Sequence, residues 1–165
     1  MSYQEKRTLF SILTGILILV AYGIYAYGKY QSGAMIAEDL TFWAKTILIF
    51  IGIGIAVNIV GQIVFHILIA IQIAIKEKLH DVNTDDKAIE KSIQNEMVTD
   101  EMDKMIELKS MQTGFFVSGM GFITGLIVLV LNYSPVVMLH IVFVSFSVGS
   151  LLEGFLQLYY YRKGV

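Results

Sequence analysis

Residues Ser110–Leu152 read SMQTGFFVSGMGFITGLIVLVLNYSPVVMLHIVFVSFSVGSLL, 43 residues without Asp, Glu, Lys or Arg. One membrane crossing by a helix takes about 20 apolar residues, so this run holds two. The punctuation between them is Asn132-Tyr133-Ser134-Pro135. A serine side chain can cap a helix, and a proline suits the first helical position. The pattern predicts TM3 over about 110–131 and TM4 over about 135–161. Working outward, Thr8–Gly28 is uncharged for 21 residues and Thr46–Ile75 for 30. These predict TM1 at about 8–28 and TM2 at about 43–75. TM1 exceeds the apolar core of a cleavable leader, about 7–15 residues, and reads as a retained span. The expected fold is all-α: a single membrane domain over 1–165, an integral four-helix bundle with a short helical cytoplasmic segment at 76–109.

Composition agrees. Apolar residues are 56% of the chain and charged residues 16%, with a mean hydropathy of +0.68. Soluble domains lie near 45–50% and 25%, so a soluble enzyme domain and a disordered chain are both excluded. A net charge of -2 gives no case for nucleic-acid binding. The chain has no cysteine, which rules out disulfides, thiol catalysis and cysteine-ligated metals. No phosphate-cradling glycine loop and no EF-hand pattern occurs. His66 and His140 belong near opposite faces and cannot share one haem. No metal site or cofactor is expected. No nucleophile–base pair is evident either, so the chain does not read as an enzyme.

Lys and Arg set the orientation. Lys6 and Arg7, six lysines within 76–109, and Arg162 and Lys163 make ten on one side, against Lys29 and Lys45 on the other. Basic residues stay cytoplasmic. The expectation is a multi-pass protein of the cell (inner or plasma) membrane with both termini inside. Tyr22, Tyr25, Tyr27, Tyr30 and Trp43 on the outer side, and Tyr159–Tyr161 on the inner, read as interfacial belts.

In the cytoplasmic segment, Asn83–Asp86 is a helix start, and Ile89, Ile93 and Met97 share one face. A second start follows at Thr99–Glu101, and beyond it Met102, Met105 and Ile106 lie nearly opposite. One helix from Asp86 to Lys109 would stand roughly 36 Å off the membrane. Only Lys76–Leu79 would match it, unless TM2 also extends well outside. Two helices with a break near Asn95–Thr99 are expected. Glu96, Asp100, Asp103 and Glu107 form a solvated acidic face, with Asp100 and Lys104 at ion-pair spacing.

Asn58, Gln62 and His66 lie on one stripe of TM2. They read as interhelical hydrogen-bonding groups or as a solute path. Glu153 is the one acid or base well inside a span. Counted from Arg162 and Lys76, Glu153 and His66 lie ~13 and ~15 Å deep. Thr14 and Ser118 fall near the same level, and Gln157 lies one turn below Glu153. The expected site is therefore a polar layer of His66, Glu153, Ser118 and Thr14, with Glu153 within reach of His66. That pair would be either a relay or a buried structural pair. Gly114, Ser118, Gly121 and Gly125 form a small-residue face on TM3, suited to intrachain packing or to a homodimer seam. A homodimer is expected.

Ser2–Tyr30, Asp100–Ser110 and the close Gly149–Val165 (GSLLEGFLQLYYYRKGV) resemble a group of uncharacterised small four-span bacterial membrane proteins. The resemblance covers the whole chain and implies a membrane location and four helices, with no activity attached. TM1 lacks the acid of small multidrug transporters, and disulfide-generating four-helix proteins need cysteines. Two functions remain. One is a transporter or channel for a small solute, ion or proton. The other is a non-catalytic sensor that binds a cytoplasmic protein partner through 76–109. A cavity reaching Glu153 would favour the first; a dry interior with an exposed apolar patch near Ile89, Ile93 or Met102 would favour the second.

Overall fold

The computed structural model describes residues 2–33, 38–80, 90, 92–94, 98 and 100–164. It contains helices α1 (Tyr3–Gln31), α2 (Leu40–His80), α3 (Glu101–Val130) and α4 (Pro135–Lys163), and no strand among the described residues. All four are long and apolar enough to cross a membrane.

Local signals start each helix where capping chemistry allows. Ser2 Oγ accepts from the Glu5 amide at 3.2 Å, while Glu5 Oε2 accepts from the Ser2 amide at 2.6 Å. Asp100 and Asp103 make the same reciprocal pair at α3, at 2.6 and 3.0 Å. This is the second start read from the sequence, but the helix it opens runs unbroken into the third apolar run. Lys104 bonds Glu101 at 2.8 Å rather than pairing with Asp100. Both side chains are exposed, so the bond is worth at most about 1 kcal/mol. Asn132 takes the left-handed conformation, φ 63°, at the tight turn. Ser134 Oγ then caps α4 by accepting from the Val136 amide.

The short turn brings α3 and α4 together as the most extensive helix pair. Their backbones touch at Gly114 and Gly149: a Cβ on Gly149 would lie 2.6 Å from the Gly114 carbonyl oxygen. A Cβ on Gly121 would run into the Ser145 side chain, and one on Gly125 would reach Met138 at 3.0 Å. Ser118, Ser145 and Ser147 donate to the carbonyls of Gly114, Ile141 and Phe143 at 2.7–2.9 Å. Gly114, Ser118, Gly121 and Gly125 therefore serve intrachain packing, and the homodimer seam considered for this face has no free surface there.

α1 lies on α4, where Gly154 admits Ile12 and Gly15 faces Leu151. α2 lies on α1, where Gly61 admits the Phe10 ring and Gly54 faces Ile18. At the end that carries the 132–135 turn, Tyr22, Ile47 and Phe143 form a core cluster. Tyr22 Oη and His140 Nδ1 are hydrogen bonded at 2.5 Å, and Trp43 stands edge-on to His140 with ring centroids 4.5 Å apart. Trp43 is 1% exposed and Tyr22 3%. These two aromatics belong to the core, whereas Tyr27 and Tyr30 stay exposed as belt residues would.

At the end that holds the termini, α2 overshoots α1. Arg7 Nη2 donates to Gln62 Oε1 at 3.3 Å, which puts Gln62 level with Arg7. Tyr3 packs on Ile69 and Ile73, with Phe65 and Ile93 beside them. From Gln62 to His80 α2 continues for roughly 27 Å at ~1.5 Å per residue. Of the two possibilities left open for this helix, the structure favours a second span that runs on well past the start of α1: residues 63–75 of the apolar run lie beyond the level of Arg7. Glu90 and Ser92–Gln94 are helical and Val98 is not. The predicted start at Asn83–Asp86, Ile89, Met97 and most of the predicted break at Asn95–Thr99 lie outside the described residues.

Candidate functional site

Two adjoining hollows lie between these helices, the larger of them open at the surface past the exposed Ile55, Ile59 and Phe146. The larger is a cleft of about 800 Å³ between α1, α2 and α4. Its walls toward the turn end are apolar, with Ile18 of α1, Phe50 and Ile55 of α2, and Phe143, Phe146 and Leu151 of α4. Toward the termini its lining becomes polar, through Thr8, Ser11, Asn58, Glu153 and Gln157. The smaller cavity, about 160 Å³, continues from there and shares Thr8, Ser11 and Gln157. It adds Arg7, Gln62, Asp103, Glu107 and Tyr161.

Small residues make the room. Gly15, Gly54 and Gly154 all line the cleft and let it run between three helices. The polar groups are held in two hydrogen-bonded chains. Thr8 Oγ1 donates to Gln157 Oε1 at 3.1 Å, and Gln157 Nε2 donates to Glu153 Oε1 at 3.4 Å. On the facing wall Ser11 Oγ donates to Asn58 Oδ1 at 3.3 Å, and Asn58 Nδ2 donates to the Gly54 carbonyl at 3.1 Å. A third cavity of about 740 Å³ opens at the turn end beside Trp43, Tyr30, Glu38 and His140. The Tyr22–His140–Trp43 contacts lie between it and the cleft.

The residues singled out from the sequence separate into three groups. Glu153, Asn58, Gln157 and Gln62 line the two joined cavities. Ser118 and Thr14 are buried and line neither; Ser118 sits in the α3–α4 seam. His66 stands apart, exposed on α2 with its ring 5.1 Å from that of Tyr3. Among the described residues no hydrogen bond or ion pair joins His66 to Glu153. The expected pair is therefore corrected. Depth counted from Lys76 fails because α2 runs well past the start of α1; the α2 side chain that lines the cleft with Glu153 is Asn58. Ser11 was missed in the sequence. Its signal was the small or polar series Thr8, Ser11 and Gly15, spaced three and four along one face of α1.

No group of His, Asp or Glu suited to holding a metal ion occurs among the described residues. No family, curated protein or solved structure matches the chain.

Proposed function

We propose that the chain is an integral membrane protein of four crossings that moves a small solute, ion or proton through the α1–α2–α4 cleft. The observation that carries this reading is the cleft itself: it reaches Glu153, and the polar cavity continues it toward Arg7, Asp103 and Glu107. An ionisable side chain in a span ordinarily faces a partner or a water-filled path, and Glu153 lines the cleft beside Gln157, which lines both cavities. Lys and Arg place the termini and the polar cavity on the cytoplasmic side. The chain reads as cytoplasmic-side open, with the Tyr22–His140–Trp43 contacts closing the other end.

Because the chain has no cysteine, single cysteines report access directly. Asn58→Cys and Ser147→Cys are expected to react with a membrane-impermeant thiol reagent applied from the side of the termini. Phe122→Cys, exposed on α3, is expected to be shielded by lipid. Reporter fusions after Val165 and within 80–86 should both read cytoplasmic. An unreactive Asn58→Cys, or an external fusion, defeats the reading.

The homodimer is proposed on a different surface. Val64, Leu68, Ile71 and Ile75 are all exposed on the overshooting part of α2. Their spacings of four, three and four are those of a coiled-coil seam. Ile71→Glu should convert a dimeric particle to a monomer in detergent, and an unchanged mass would remove the seam. The sensor reading keeps one observation in its favour, the exposed Met102 and Met105 on α3; the cleft that reaches Glu153 favours transport.

A further inference from the structure

Among the described residues Glu153 has no ion-pair partner. It is the single charged residue among those that line the cleft. Among the described residues its side chain accepts from Gln157 Nε2 at 3.4 Å and from no other group. The charged groups near it do not compensate. Glu107 of α3 is close enough to act on it and has the same sign. Asp103 of α3 and Tyr161 of α4 line the adjoining polar cavity, and Arg7 of α1 is turned to Gln62. α2 contributes the neutral Asn58, while its His66 lines neither cavity. A carboxylate inside a span is paired, or else neutralised by a proton.

The rest of the cleft says what the partner looks like. Its volume of about 800 Å³ lies in the range of small-molecule sites, about 300–1,000 Å³. Phe50, Phe143 and Phe146 line its apolar part. A hard inorganic cation takes about six or more oxygen ligands, carboxylates foremost, whereas the cleft offers one carboxylate, and the hydroxyls of Thr8 and Ser11 and the amides of Asn58 and Gln157 are already bonded to each other or to the backbone. A lipid chain would fill the apolar part and leave Glu153 unanswered.

We propose that the cleft binds a lipophilic organic monocation whose apolar body lies along Phe50, Phe143 and Phe146 and whose charge replaces a proton on Glu153. The exchange balances as Glu153 carboxylic acid plus cation giving the carboxylate–cation pair plus one proton, released toward Gln157 and the polar cavity. This deepens the transport reading by naming its substrate class.

The test uses the purified full-length protein in detergent with tetraphenylphosphonium, and with tetraphenylborate as a probe of like shape and opposite charge. Tetraphenylphosphonium should bind saturably, more tightly as pH rises, with up to one proton released per cation. Calorimetry in two buffers of different ionisation enthalpy reads that proton. Tetraphenylborate should not bind. Glu153→Gln should weaken binding by about 30-fold or more. Gly54→Leu fills the cleft from a position where a Cβ meets only Ile18, at 3.4 Å, and should abolish binding with the melting temperature retained. This variant and the wild-type pH series decide the matter even if Glu153→Gln fails to fold. Absent saturable binding, which a lipid chain or a second copy in the cleft would produce, overturns the proposal. So does equal binding of the anion, pH-independent affinity, or a folded Glu153→Gln that binds as wild type. A protein that passes these tests yet moves nothing in proteoliposomes refutes the transport reading and keeps the site. One that moves protons or another solute but ignores tetraphenylphosphonium refutes this inference alone.

Discussion

Gly149→Leu is expected to abolish the folded protein. At this position the added Cβ alone would sit 2.6 Å from the Gly114 carbonyl oxygen and 2.6 Å from Ser118 Oγ. The first of these is backbone, so no side chain can swing aside; α3 and α4 must separate. Separation loosens the whole small-residue face, since Gly121 and Gly125 depend on the same approach of the two helices. Overpacking a core typically costs about 1–3 kcal/mol, a range suited to Gly149→Ala. The leucine should exceed about 3 kcal/mol, because its branches have no space on either side of the seam. Gly119→Leu is the control, since a Cβ there meets nothing within 4 Å. That substitution should be neutral or stabilising, by up to about 1 kcal/mol from helix propensity. Thermal unfolding and the monodisperse yield in detergent measure both. Equal melting temperatures for the two leucine variants would show that the α3–α4 seam is not where the structure puts it.

Glu153→Gln is expected to remove transport and keep the fold. Glutamine preserves the shape and can still accept from Gln157, but it holds neither a charge nor an exchangeable acidic proton. On the transport reading, flux in proteoliposomes should fall to that of protein-free vesicles. Stability should stay within about 1 kcal/mol of wild type, since no ion pair is broken among the described residues. His66→Gln should leave flux unchanged. In a double-mutant cycle the two should be additive within about 0.5 kcal/mol, as for sites with no shared partner. A coupling of several kcal/mol would restore the buried pair that the structure separates. Full flux with Glu153→Gln would remove this residue from the pathway.

Much of the architecture was legible in the sequence because it depends on local chemistry. Uncharged runs mark apolar helices, and helix starts follow from side chains that can satisfy orphan amides. Ser134-Pro135 and the start read at Thr99–Glu101 both fall where the structure begins a helix, although Asp103, read as part of an acidic face, completes the second cap. The small face of α3 was visible as well. The four-residue turn made α4 its natural partner, so its packing role needed only nearest-neighbour reasoning.

The site was legible only in part. Glu153, Asn58, Gln62 and Gln157 stood out because a polar side chain in an apolar run is a local anomaly. Which of them meet is a matter of vertical register between helices, and nothing local sets that register. On α2 the uncharged run continues to Ile75, although Arg7 stands opposite Gln62 and the remaining turns pack against Tyr3 and Ile93. An apolar residue buried in a protein contact and one buried in lipid give the same pattern in sequence, because both are withdrawn from water. The sequence by itself therefore determined four apolar helices, the starts of α3 and α4, and the end of the bundle that carries most basic residues. Tertiary structure alone decided that α2 slides past α1 until Asn58, not His66, faces the cleft with Glu153. The physical cause is local to the α1–α2 contact: Gly61 admits the Phe10 ring, and the Arg7–Gln62 and Ser11–Asn58 hydrogen bonds hold α2 at that register on α1.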